Sequence, residues 1–201
     1  MKHFAPNPFG RARLAAVAVL LSACAGKNGA VPPANSLRWV ATPSAIAALS
    51  SDAASSGMPA EICFGGSAGR SALWLKFPGE WRSHGIPLKA YLTLSPREGA
   101  TNDDSLPALS VWRASEEWRP EQLHSWADNP GLSLPNGVGP VAFAPGPEVR
   151  LDVTALMQFA AEHPERDFGL AVFSRSGSGH GAHFATGMRG GRAPRLELYF
   201  R

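Results

Sequence analysis

The clearest pattern in the chain runs from Val149 to Ser174, where the spacing of apolar positions changes twice. Val149, Leu151 and Val153 alternate with Arg150, Asp152 and Thr154, the period of a half-buried strand. Leu156, Phe159 and Ala160 then fall on one face at helical spacing, and His163-Pro164 ends the run, because proline disfavours helical backbone in the residue before it. This predicts one short helix over about 155–163, with the Thr154 hydroxyl as its N-cap. Residues 168–174 return to a mostly apolar strand. Period-two alternation recurs at 71–77 (Leu73, Leu75 and Phe77 on one face), at 88–94 (Leu88, Ala90, Leu92 and Leu94) and at 195–200 (Leu196, Leu198 and Phe200 against Glu197 and Tyr199). Shorter strand-like runs lie at 37–41, 61–64, 109–114, 141–143 and 182–186. Residues 44–60 are rich in Ala and Ser and show no clear period. Residues 79–87, 131–139 and 177–181 read as loops, 97–105 as a polar turn, and 116–130 as a long excursion bearing tryptophans.

Short strands at this spacing, punctuated by 21 Gly and 18 Pro, predict an all-β antiparallel sandwich with one short helix. Strands and helices do not alternate, which argues against a parallel α/β sheet.

The first residues form a different kind of segment. Lys2, Arg11 and Arg13 precede an uninterrupted apolar run at 14–23, too short to span a bilayer as a stable helix. The run ends in Leu21-Ser22-Ala23-Cys24, which resembles the lipobox of bacterial lipoproteins. That resemblance implies cleavage before Cys24, acyl chains on Cys24 (palmitate among them) and a membrane anchor made stable by about 0.8 kcal/mol per buried methylene. Ala25 rather than aspartate follows, which for lipoproteins of two-membrane bacteria implies the outer membrane. Residues 1–23 are then a signal peptide, 24–36 a lipidated cysteine and flexible tether, and 37–201 one domain. The leader also explains the charge. The formal net charge of +3 comes from 19 basic and 16 acidic residues, and three of the basic ones and none of the acidic ones lie in the leader. The remainder is formally neutral, so the high pI does not indicate nucleic-acid binding. With Cys24 lipidated, Cys63 is left as a lone thiol, expected to be buried and inert between Ile62 and Phe64.

Several stretches, taken in order, resemble one family. They are the Gly-Gly turn before Arg70-Ser71-Ala72-Leu73-Trp74-Leu75-Lys76-Phe77, then Leu88-Lys89-Ala90-Tyr91-Leu92-Thr93-Leu94, and the paired tryptophans Trp118 and Trp126 with Asp128-Asn129-Pro130. Arg150-Leu151-Asp152-Val153-Thr154, Phe168-Gly169-Leu170-Ala171-Val172 and Ala193-Pro194-Arg195-Leu196 follow. Together these resemble the DNRLRE domain, a jelly-roll sandwich of bacterial surface and secreted proteins related to carbohydrate-binding modules. The likeness spans 37–201. An Ala/Ser-rich region replaces the family's Tyr-Gly turn, and Ala185-Thr186-Gly187-Met188-Arg189 replaces its Ser-Arg-Glu run. The resemblance implies a non-catalytic binding module for polysaccharide. A structural role, docking onto another envelope protein, is the alternative.

The candidate chemistry is sparse. Sugar binding needs flat aromatic faces with polar groups beside them. Trp74 and Trp112, with Lys76 and Arg113, are the candidate platform; packing under loops is the simpler reading for any one tryptophan. Gly65-Gly66-Ser67-Ala68-Gly69 matches a nucleophile elbow, and Asp152 and His180 follow in the order of a hydrolase triad. The elbow needs a helix after it, however, and a strand is expected here, so a serine hydrolase using Ser67 is a remote alternative. His180 and His183 at H-x-x-H spacing lack neighbouring ligands, and Asn102-Asp103-Asp104 offers oxygens to calcium but reads more readily as a solvated turn. Glu116 and Glu117 point to opposite sides of an extended chain and make a poor acid/base pair.

Overall fold

The computed structural model describes residues 33–51, 59–65, 70–96, 108–141, 147–174, 181–187 and 192–201, with backbone alone at 134–136. The leader, Cys24, Ser67, Asp103, Asp104 and His180 lie outside the described residues.

Two antiparallel sheets face each other. The first is four-stranded: β1 (Leu37–Ala41), β11 (Arg195–Phe200), β5 (Lys89–Leu94) and β8 (Val149–Asp152), in that order. The second is five-stranded: β2 (Ala45–Ser50), β4 (Ser71–Lys76), β9 (Leu170–Ser174), β6 (Leu109–Ala114) and β7 (Leu132–Val141). A ribbon of β10 (Ala182–Ala185) and β3 (Glu61–Phe64) completes the described strands, tied to the end of β5 by an isolated bridge between Pro96 and Phe184. Every strand pair is antiparallel. The sandwich expected from the punctuation of short strands is therefore present.

The alternating residues close between the sheets as expected. Leu73 and Leu75, Leu170 and Val172, and Leu109 and Val111 meet Leu92 and Leu94, Leu196 and Leu198, and Val149 and Leu151 in one buried cluster. Trp81, on a 3-10 turn at Gly79–His84, and Phe64 and Phe184, on the ribbon, extend it. Helix α1 (Thr154–Glu162) adds Leu156, Met157 and Ala160. Phe159, expected on the buried face, is only partly covered and lies along its edge.

Three expectations need correction. Thr154 is not the N-cap but the first helical residue, after Val153. Its N–H is accepted by Asp152 Oδ1 at 3.0 Å, while its hydroxyl accepts Ala90 N–H at 3.0 Å, so the cap comes from the preceding strand and ties α1 to β5. Residues 131–139 are not a loop but most of β7. Pro135 and the glycines there argued against a strand, yet β7 is an edge, where a missing N–H costs no ladder bond, and two irregularities in its pairing with β6 absorb the misfit. Residues 45–50 form β2. The period there was illegible because both faces are covered: Ile46 and Ala48 by the inter-sheet core, Ala47 and Leu49 by a second cluster outside it.

That second cluster is the work of the tryptophan excursion. Residues 116–130 fold back over the outer face of the five-stranded sheet and seat Trp118, Leu123 and Trp126 on Ala47, Leu49, Ala72, Trp74 and Ala171. Trp118 donates its indole N–H to Phe168 O at 2.7 Å, and Lys76 donates to Trp118 O and pairs with Glu117. Asp128 accepts from the Ser125 hydroxyl and from the Ser125 and His124 N–H groups, which lowers its pKa and closes the excursion. Gly169 has no room for a side chain where the excursion's base meets β4. Its φ is +99°, and a Cβ would lie 2.4 Å from Leu75 O.

Candidate functional site

The outer faces of the two sheets have opposite characters. Trp74, expected on a binding platform, is fully buried beneath the excursion, with Trp118 at 6.1 Å and Phe173 at 5.8 Å in edge-on contact. It offers no face to a ligand. Trp112 is half-buried on the same outer face and lies so close to the Gly137 backbone that a Cβ there would stand 2.5 Å from the indole. Lys76 is committed to Glu117 and Trp118. Arg113, the residue after Trp112, points to the opposite side of the strand, because successive side chains alternate. The guanidinium lies 3.6 Å from the Phe159 ring of α1. The four residues therefore form no common surface. Their strands were read correctly, but what covers each face could not be.

The outer face of the four-stranded sheet is polar, aromatic and densely connected. Alternation along β5, β8 and β11 places Lys89, Tyr91 and Thr93, Arg150 and Asp152, and Arg195, Glu197 and Tyr199 on one side. The cross-strand partners Glu197 and Tyr91, and Tyr91 and Asp152, set them in a row. Glu197 sits at the centre, 6% exposed. It accepts from Arg150 Nη2 at 2.9 Å and from the Tyr199 hydroxyl at 3.0 Å, and pairs with Arg38 of β1 at 3.1 Å. Burial by itself would raise its pKa, but the Tyr199 hydroxyl and the two arginines outweigh that and hold it below the usual glutamate value. Arg150 also bonds the Tyr199 hydroxyl and lies 4.0 Å over the Tyr91 ring, which meets Tyr199 edge-on. Lys89 pairs with Asp152 at 3.3 Å. Asp152 is held low despite its partial burial by the Thr154 hydroxyl, the Thr154 N–H and Lys89. Among the described residues, the buried hydroxyls of Tyr91 and Thr93 find no hydrogen-bond partner. Burial first, then the Asp152 charge, pushes the Tyr91 pKa up and keeps it a neutral donor. Tyrosines, arginines and carboxylates interleaved on one face can exchange hydrogen bonds with a hydroxyl-rich ligand.

This face was missed at the level of sequence, although its signal was present. Lys89, Tyr91 and Thr93, and Glu197 and Tyr199, are the positions that alternate with the core, and they are unusually rich in hydrogen-bonding side chains.

The other candidates are scattered. A strand, β4, begins at Ser71, soon after the Gly65-to-Gly69 sequence, where a nucleophile elbow requires a helix, and Asp152 is occupied by Thr154 and Lys89. Cys63 is half-buried rather than buried, since Ile62 and Phe64 take the core side of β3. It stands directly opposite His183, whose Nδ1 is 3.5 Å from Glu61. Burial and the Glu61 charge push the Cys63 thiol up, the wrong direction for a nucleophile. Among the described residues no cluster of His, Cys, Asp and Glu could hold a metal ion, and no helix is long and apolar enough to cross a membrane.

No protein-family model and no curated protein matches the chain. The likeness to the DNRLRE domain stands on the residues quoted for it.

Proposed function

We propose that the chain is a lipid-anchored protein of the bacterial envelope, held at the outer membrane through Cys24, whose sandwich binds polysaccharide without catalysing a reaction. The observation that carries the reading is the contrast between the two outer sheet faces. One is largely sealed by the tryptophan excursion. The other carries the exposed side chains of Arg38, Lys89 and Asp152 and half-buried Arg150 around buried Tyr91, Tyr199 and Glu197, with two buried hydroxyls that the described residues do not satisfy. Buried polar groups without partners are uncommon in folded proteins, and sugar hydroxyls supply both donors and acceptors.

The test is affinity electrophoresis of residues 30–201 against neutral and acidic polysaccharides, with and without calcium. Retardation by one class is expected, weakened several-fold by Arg38→Ala or Lys89→Ala, both at exposed side chains, and unchanged by Trp112→Ala. Loss with Trp112→Ala alone would move the site to the five-stranded sheet. The anchor is tested separately: Cys24→Ser should abolish incorporation of a labelled palmitate analogue and release the protein from the membrane fraction.

A folded sample that no polysaccharide retards would favour docking onto an envelope protein. Leu37 and Val40, exposed on the edge strand β1, favour that second reading.

A further inference from the structure

Two charged side chains among the described residues are buried, Glu197 and Arg113, and they are treated in opposite ways. Glu197 has two arginines. Arg113, 6% exposed, has no carboxylate partner among the described residues. Its Nη2 donates to the Ser133 hydroxyl of β7 at 3.0 Å, Phe159 covers one face of the guanidinium, and Nε is buried with no acceptor. The other buried or half-buried arginines share the unpartnered Nε, but each has a carboxylate. Arg82 pairs with Asp167, Arg150 with Glu197 and Arg195 with Glu148. The charged groups that bear on Arg113 are Arg166, on the 3-10 turn after α1, and Asp167, which is already bound by Arg82. Of these arginines, Arg82 alone contacts that carboxylate, and Arg166 adds like charge near Arg113. A buried, unneutralised charge is costly, and an arginine with an unpartnered Nε and no carboxylate among the described residues is shaped to take a planar or tetrahedral oxyanion through paired hydrogen bonds.

The geometry points to an oxyanion-binding subsite at Arg113, with Ser133 as second donor and Arg166 supplying long-range charge. The ligand class is a carboxylate or a phosphate or sulfate group. The inference does not depend on the polysaccharide reading, because Arg113 lies between the sheets and not on the outer face proposed for sugar.

The test is thermal unfolding of the full chain in sodium acetate, sodium phosphate or sodium sulfate, each against sodium chloride at matched ionic strength. The wild type should gain about 5 °C over chloride once the anion is near a hundred times its Kd. Acetate against phosphate and sulfate separates the carboxylate from the tetrahedral anions. Arg113→Met, which keeps contact with Phe159 and removes the charge, should abolish the gain while leaving the melting temperature in chloride equal or higher. Arg166→Gln, at an exposed side chain, should reduce the gain and decides the matter by itself if Arg113→Met does not fold. Equal gains in the wild type and both variants would show general salt stabilisation and overturn the subsite. So would an Arg113→Met protein that melts several degrees lower, with no anion-specific gain in the wild type, since Arg113 would then be only a prop beneath Phe159.

Discussion

Trp74→Ala is expected to cost about 3–5 kcal/mol of unfolding free energy, the range for truncating a fully buried aromatic in a packed core. Trp74 has no exposed surface and joins the outer face of β4 to the excursion through edge contacts with Trp118 and Phe173. Removing it leaves a cavity between two rigid layers, the sheet below and the turns above, and neither can collapse freely into it. Urea unfolding followed by far-UV circular dichroism measures the loss. A drop under 1 kcal/mol would mean that the excursion is not part of the cooperative core. The double variant with Trp118→Ala isolates the ring pair, for which a coupling of about 0.5–1.5 kcal/mol is expected beyond area burial. Polysaccharide retardation should survive in any Trp74 variant that stays folded, because the residue is remote from the four-stranded face.

The second large effect is at Glu197. Glu197→Ala should cost about 3–5 kcal/mol, as for breaking a buried ion pair from one side, because Arg150 and the Tyr199 hydroxyl would lose their common acceptor. Arg38→Ala should cost well under 1 kcal/mol by comparison, since that side chain is 55% exposed and water replaces the contact. Acid should act through the same group. The folded pKa of Glu197 lies below its unfolded value of 4.5. Its contribution is therefore fully present above that value and is lost as pH falls through the folded pKa. Between pH 5 and pH 3 the wild type should lose stability more steeply than Glu197→Gln, which cannot titrate. Parallel slopes in urea-midpoint measurements would show that the carboxylate is not what the two arginines stabilise.

The reach of sequence reasoning can be traced residue by residue. Wherever one face of an element met the inter-sheet core and the other met polar surroundings, alternation revealed it, as in Arg195–Phe200 with Leu196, Leu198 and Phe200 inward. The helix was legible for the same reason, and its end was marked by Pro164. Legibility failed where tertiary structure covered a second face. Ala45–Ser50 shows no period because water touches neither side of it for long. It failed again at β7, where an edge position tolerates Pro135 and Pro140 that a central strand would reject.

Function divided along the same line. The sequence alone determined the sandwich class, the strands that carry the core, the place of the one helix and which residues could do chemistry, because these follow from local spacing and side-chain type. Only the tertiary structure decided which of those residues face the same way and what lies over them. It put Trp74 under the excursion, turned Arg113 between the sheets away from Trp112, and gathered Arg38, Arg150, Glu197 and Tyr199 from three strands far apart in the chain. Such gatherings depend on strand order and register, which come from long-range packing of whole sheets and leave no mark at the spacing of neighbouring residues.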